Sequence, residues 1–295
     1  MNKKFTVNSY MLLRVGQRET ILNQYKNKYI TFSCAANWIG WAHQQLTEKK
    51  PLNGTTDLFD CAIACYSHDD KNIKIDENYY KNNLVIFKGN ENNYYYFNPV
   101  ITMPAICFYS INRSLFNQYN FCKGKELIFP LKQYAACFDY NDPAYLIITS
   151  VNDFFEDLKK AIPKSIKDNI ENLTSKGFSN LFNSDHPYVA RDIKYIKDLS
   201  KQKYDNSCDY FEAIFCKDFS YKWQNEMRIV IPNISFKTSF CKEYQSNKYY
   251  DINSLNVYLP NLHSYAFVID NSYELLWYED TQGRIHDVVR EKYGK

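Results

Sequence analysis

Three short stretches of the chain carry side chains whose types and spacing could act together on a charged ligand. Leu12-Leu13-Arg14-Val15-Gly16 closes an apolar run with an Arg beside a Gly. The guanidinium offers a planar fork for phosphate oxygens, and the glycine lets backbone come close to a ligand. Tyr29-Ile30-Thr31-Phe32-Ser33 ends in a hydroxyl and leads into a segment carrying Trp38 and Trp41. Tyr221-Lys222-Trp223-Gln224-Asn225-Glu226-Met227-Arg228 places a Gln-x-Glu pair at the head of the apolar run 227–231. A carboxylate held beside a centre that becomes positive in a transition state lowers the barrier. Gln224, two residues before Glu226 in extended chain, points to the same side.

The elements that must position these groups are legible from periodicity. Residues 9–15 are a short apolar run ending at Gly16, and 18–27 have helical spacing in Ile21, Leu22 and Tyr25. Residues 28–33 alternate with period two, so they read as a strand; 35–50 read as a helix that stops before Pro51. Asn53-Gly54 is a turn signal. Strands are expected at 58–66, 84–87, 94–97, 105–109, 127–129, 145–149, 210–216, 227–231, 256–259, 265–269 and 274–278. Between 152 and 203, Lys- and Asp-rich sequence with Phe154, Phe155, Leu158, Ile162 and Ile166 predicts a helical excursion bounded near Pro163 and Pro187. With no internal repeat and no Gly/Ser linker, the chain reads as one α+β domain with a helical insertion at about 152–205.

Composition sets limits. The chain has 295 residues, with 36 Lys+Arg against 33 Asp+Glu and a formal charge of +3, so bulk charge does not make it a polyanion binder. No phosphate loop, nucleophile elbow, HExxH or kinase signature appears. Nine cysteines at irregular spacing, an N-terminus without an apolar h-region and no span-length apolar stretch predict free thiols in the cytoplasm and no membrane contact. Cys61, Cys65 and His68 offer three metal donors without a fourth, and the alternation Phe59, Cys61, Ile63, Cys65 reads equally as the inner face of a strand, so no metal is expected. The aromatic excess, 27 Tyr and 20 Phe, is densest at Tyr94-Tyr95-Tyr96-Phe97, which could stack bases beside Arg113, Lys123 and Lys125 or build a buried strand. The lysines of 155–203 are interleaved with acids and read as a solvated helical face more than a nucleic-acid patch.

The order of the three stretches resembles the ADP-ribosyltransferase superfamily. Arg14 matches its first-strand Arg, Thr31 and Ser33 its hydroxyl strand, and Gln224 with Glu226 its Gln-x-Glu element. The stretch from Arg14 to Trp41 looks like the NAD-binding stretch of DarT-type and poly-ADP-ribose-polymerase-like members. The same stretch and the Trp-Gln-x-Glu-x-Arg segment also resemble an uncharacterised bacterial family found near phage-defence genes. The hydroxyl strand departs from the family pattern, reading Thr-Phe-Ser rather than Ser-Thr-Ser.

The resemblance implies a split β-sheet core in a single domain over residues 1–295. NAD would be the co-substrate, bound by Arg14, Gly16, Thr31, Ser33 and Trp38, with Glu226 and Gln224 catalytic. It further implies a mono-ADP-ribosyltransferase toxin or antiviral-defence effector acting on RNA, DNA or protein and restrained by an antitoxin. Two alternatives remain open from the same residues: an NAD glycohydrolase with water as acceptor, and a non-catalytic nucleic-acid-binding or sensing module. A bland reading is also open, with Arg14 and Glu226 in ordinary surface pairs and 224–232 an edge strand.

Overall fold

Met11, Leu12 and Leu13 follow one another along the first strand and are all buried, which requires cover on both faces. The computed structural model describes residues 9–48, 57–69, 83–112, 126–129, 135, 138, 140–174, 186–198, 207–237, 254–279 and 285–291. The turn signal at Asn53-Gly54 and the cations Arg113, Lys123 and Lys125 lie outside them.

In chain order the elements begin with β1 (Ser9–Gln17), α1 (Arg18–Lys26), β2 (Tyr29–Phe32), α2 (Ala35–Thr47), β3 (Ala64–Ser67), β4 (Leu84–Lys88) and β5 (Asn92–Phe97). Next come α3 (Asn98–Ile101), β6 (Ala105–Asn112), β7 (Glu126–Phe129), β8 (Pro143–Ile148), α4 (Val151–Asp168) and β9 (Leu173–Thr174). The chain continues with β10 (Val189–Asp192), β11 (Lys194–Ile196), α5 (Ser207–Glu212), β12 (Cys216–Asp218), β13 (Glu226–Val230) and β14 (Ser235–Phe236). It closes with β15 (Leu255–Tyr258), α6 (Leu262–Tyr265), β16 (Ala266–Asp270), β17 (Tyr273–Glu279) and β18 (Ile285–Glu291). The fold is therefore mixed α and β with several small sheets. No described helix is long and apolar enough to cross a membrane.

The chain divides into two compact units: 1–30 with 108–158 and 258–295, and 31–107 with 159–257. In the first unit β8 pairs antiparallel with β1 (Leu13 opposite Ile147) and with β16 (Phe267 opposite Ile147). On one face of this sheet Met11, Leu13, Ile111, Tyr145, Ile147 and Ile269 form a core. Elsewhere in the unit Phe154 of α4 meets Phe108 edge-on, with ring centroids 5.5 Å apart. α4 presents Phe154, Leu158 and Ile162 at helical spacing, all buried. Pro163 lies inside this helix instead of at its end. Its exposed position limits the cost to one missing backbone donor and a local clash.

Asp157, one turn from Phe154 and buried, accepts hydrogen bonds from the Tyr265 hydroxyl at 2.8 Å and from the backbone and side-chain N–H groups of Asn261, both at 3.2 Å. Asp157→Ala strands a buried phenol and an amide, so denaturant titration should read a loss of about 2–3 kcal/mol. The exposed Asp153 is the control, with a loss under about 0.5 kcal/mol expected for Asp153→Ala.

The second unit contains the meander β3-β5-β4, the antiparallel pair β10–β13, and the parallel pair β11–β12. Tyr94, Tyr95, Tyr96 and Phe97 of β5 are buried; Phe59 packs edge-on to Tyr94 at 5.2 Å and Phe87 to Tyr96 at 5.6 Å. The tyrosine run is therefore core, and it is not a stacking groove. Within 152–205 the helix fills only the first part, and Val189–Asp192 and Lys194–Ile196 form strands.

Residues 210–216, expected as a strand, are instead the end of α5, a 3-10 turn at Ala213–Phe215 and the first residue of β12. Tyr210, Phe211, Ile214 and Phe215 are all buried. A short apolar run buried all round carries no period that separates helix from strand.

Candidate functional site

β13 runs Glu-Met-Arg-Ile-Val with all five residues buried. It is no edge strand: β10 flanks it on one side, and just beyond its end Ile231 donates to the Pro104 carbonyl at 2.9 Å. Successive side chains of a strand alternate, so Glu226 and Arg228 share one face. Arg228 is fully buried and Glu226 is 7% exposed. They meet there as a buried ion pair, contrary to the bland reading of a surface contact.

The Arg228 guanidinium spends its donors on this site. Nη1 donates to Asp60 Oδ1 at 2.8 Å and to the Ile214 carbonyl at 2.5 Å. Nη2 donates to Asp60 Oδ2 at 3.1 Å and to Glu226 Oε1 at 2.7 Å, and Nε reaches the same Oε1 at 3.3 Å. The other carboxylate oxygen, Oε2, accepts from Lys217 Nζ at 3.1 Å, and the same ammonium donates to Gln224 Oε1 at 2.6 Å. Lys217 also lies 3.8 Å from Asp60 Oδ2. The Trp38 ring stands with its centroid 4.9 Å from Arg228 Cζ, a cation–π contact.

Local geometry brings these groups together at some backbone cost. A 3-10 turn, Phe219–Gln224, is capped at its start by the Asp218 carboxylate, which accepts from Ser220 N at 2.8 Å. Asn225 ends it in the left-handed region at φ 40°, and the chain turns there into β13. Asn enters that region more readily than most residues. Cys61, at φ 63°, closes the Asp57–Cys61 turn and donates its N–H to the Cys216 carbonyl at 3.3 Å. Two of the three described non-glycine residues at positive φ thus flank one cluster. Strain of this kind collects at functional sites.

Burial works against the charge on Glu226, but Lys217 and Arg228 overcome it and hold its carboxyl down at about 2. Burial likewise disfavours the Lys217 ammonium, and Glu226 and Asp60 reverse the effect and push its pKa up. Asp57 behaves differently. Burial and then the Asp60 charge push it up to about 7, against the weaker pull of Lys217. Cys107 is raised by burial and by Glu226, so its thiol stays protonated beside the carboxylate.

The sequence-derived residues distribute as follows. Gln224, Glu226 and Trp38 come together around Lys217 and Arg228. Ser33 accepts from Asn37 Nδ2 at 2.6 Å and exchanges backbone hydrogen bonds with Ala105, two residues before Cys107. Thr31 donates to Asn256 Oδ1 at 2.8 Å on an exposed face. Arg14 and Gly16 belong to the other unit. There Arg14 Nη1 donates to Gln24 Oε1 at 3.2 Å, and Gly16 packs so tightly that an added Cβ would lie 3.1 Å from Ile21.

Sequence reasoning missed Asp57, Asp60, Lys217 and Cys107 as site residues. Arg228 stood in the quoted segment without a role, although its i, i+2 spacing from Glu226 was a usable signal. The described cysteines Cys34, Cys61, Cys65, Cys107 and Cys216 are reduced thiols outside any disulfide, and burial raises Cys34 to about 12 and Cys65 to about 11. Among the described residues no three His, Cys, Asp or Glu side chains gather as a metal site. No protein-family model, curated protein or solved structure matches the chain.

Proposed function

We propose that the chain is an NAD-dependent mono-ADP-ribosyltransferase, a toxin or defence effector, whose reaction centres on Glu226. The observation that carries this reading is the charge of the buried cluster. Asp57, Asp60 and Glu226 supply three carboxylates against the two cations Lys217 and Arg228. With all three ionised the cluster holds one negative charge beyond balance. Such a charge favours the nicotinamidium of NAD and, more strongly, the oxocarbenium that forms when the ribose C1′–N bond breaks.

The electron pair of that bond leaves with neutral nicotinamide. An acceptor oxygen or nitrogen then bonds to C1′ and gives up its proton. Arg228 holds Oε1, so Oε2 is the oxygen that substrate would take over from Lys217. Gln224, which shares Lys217 with Glu226, would orient the acceptor. Trp38, with its ring against the Arg228 guanidinium, is an aromatic side chain of the cluster. The split-sheet form of the α+β fold belongs to the same proposal.

A macromolecular acceptor suits the surface next to the site. On the 3-10 turn that ends at Gln224, Phe219 is 38% and Trp223 42% exposed, and the ammonium groups of Lys197 and Lys222 lie 4.8 and 5.4 Å from the Phe219 ring centre. Incubation with NAD labelled in the adenylate and with cell extract should give label in material that nuclease or protease destroys. Label found only as free ADP-ribose would make the protein an NAD glycohydrolase.

A further inference from the structure

The cluster contains one carboxylate that no described cation clasps. Arg228 forks onto Asp60 and joins it to Glu226, while Lys217 bonds Glu226 Oε2. Asp57 instead spends its oxygens on backbone: Oδ1 accepts from Phe59 N at 2.8 Å, and Oδ2 from Asp218 N at 3.1 Å. Its carboxyl therefore pins the Asp57–Cys61 turn to β12, the strand that carries Lys217. Among the described residues, these charged or titratable groups face it. Asp60 lies on its own turn and disfavours its charge, whereas Lys217 favours it. Tyr94 and Tyr96 of β5 and Tyr221 of the 3-10 turn feel its charge and have their own pKa values raised, chiefly by burial, so they stay neutral. Asp218, also on β12, donates its backbone N–H.

We propose that Asp57 is the proton-carrying residue of the cluster and sets its net charge near neutral pH. With the proton on, two carboxylates match two cations, and relief of burial and of the Asp60 repulsion outweighs the weakening of a backbone hydrogen bond to the carboxyl. With the proton off, the cluster holds three carboxylates against two cations, and the repulsion between Asp57 and Asp60 weighs on the turn. On the reading given above, which this consequence rests on, the proton would compete with the cationic end of NAD for the same site.

The sign follows from the direction of the shift. The ordinary value for this carboxyl is 3.8, and in the fold it lies near 7. Between these values the folded chain holds a proton that the unfolded chain has released. The stabilisation from Asp57 is therefore full below about 4, is lost as pH rises towards 7, and changes no further above it.

The experiment uses the full chain and no NAD, so its failure and the failure of the NAD reading are separate results. Urea titrations at pH 5, 6, 7 and 8 on wild type and Asp57→Asn should show the wild-type folding constant falling, relative to the variant, by about tenfold per pH unit from 5 to 7 and then levelling. Parallel profiles across that range overturn the proposal. Should Asp57→Asn not fold, carboxyl-carbon NMR of the wild type labelled at aspartate decides. An aspartate signal with a midpoint between 6 and 8 is expected, and it must persist in Asp192→Asn, since burial also raises Asp192. No such signal, or one that Asp192→Asn removes, refutes the assignment.

Discussion

Arg228→Met will destabilise the protein by about 3–5 kcal/mol, because it leaves Asp60 and Glu226 buried without their shared cation. Arg228 is fully buried, and its fork bonds both oxygens of Asp60 and Oε1 of Glu226. Lys217 cannot replace it, being already committed to Oε2 and to Gln224. Arg228→Lys should rescue little, since a single ammonium cannot copy a planar fork that reaches two carboxylates. The comparison is Arg191→Ala, whose pair with Glu212 is 31% and 52% exposed by side chain. A surface pair of that kind is worth under about 1 kcal/mol.

The loss at Arg228 also has a pH signature. Glu226 is held below its ordinary value, so its pairing stabilises the fold above about 4.5 and is lost as pH falls towards 2. The deficit of Arg228→Met should therefore narrow in acid, which denaturant titrations at pH 3 and pH 6 will read.

On the proposed reading, Glu226→Gln lowers NAD cleavage by at least about a hundredfold, the scale of removing one group that stabilises charge in a transition state. The substitution keeps shape and keeps an acceptor for Arg228, but it removes the surplus negative charge. Two carboxylates then face two cations. The remaining polar mismatch, an amide N–H₂ against the Lys217 ammonium, costs some stability without exposing a large cavity. Circular dichroism and a melting curve on the same preparation separate lost chemistry from lost fold. Removing Glu226 also removes a cation-consuming neighbour, so Lys217 is freer to favour Asp57 in its charged form.

Much of the scaffold was legible. The periods over 18–27, 28–33 and 35–50 match α1, β2 and α2 to within a few residues. The head of β13 was legible because Gln-x-Glu before an apolar run is an abrupt change of polarity. The stretch 210–216 was not, since Tyr210, Phe211, Ile214 and Phe215 are buried on every side and the period is lost.

The partners of Glu226 were hidden for a different reason. Asp60 sits 168 positions before Arg228, on a turn whose seating depends on a cysteine at positive φ. Nothing local in Asp57-Leu58-Phe59-Asp60 states that its carboxylates turn inward. Lys217 reads as a surface residue, because a lysine is buried only when a partner is supplied from elsewhere in the fold. Arg14 and Gly16 illustrate the converse: their local chemistry is suggestive, and within their own unit they serve a Gln24 contact and tight packing on Ile21.

In the proposed reaction the carboxylate at the head of β13 drives cleavage of NAD. The direct measurement is the rate of nicotinamide release from NAD by wild type and by folded Glu226→Gln, with cell extract present as a source of acceptor. Release by the wild type and at least about a hundredfold less by the variant are expected. Equal rates, or no release by either, would contradict the proposed reaction.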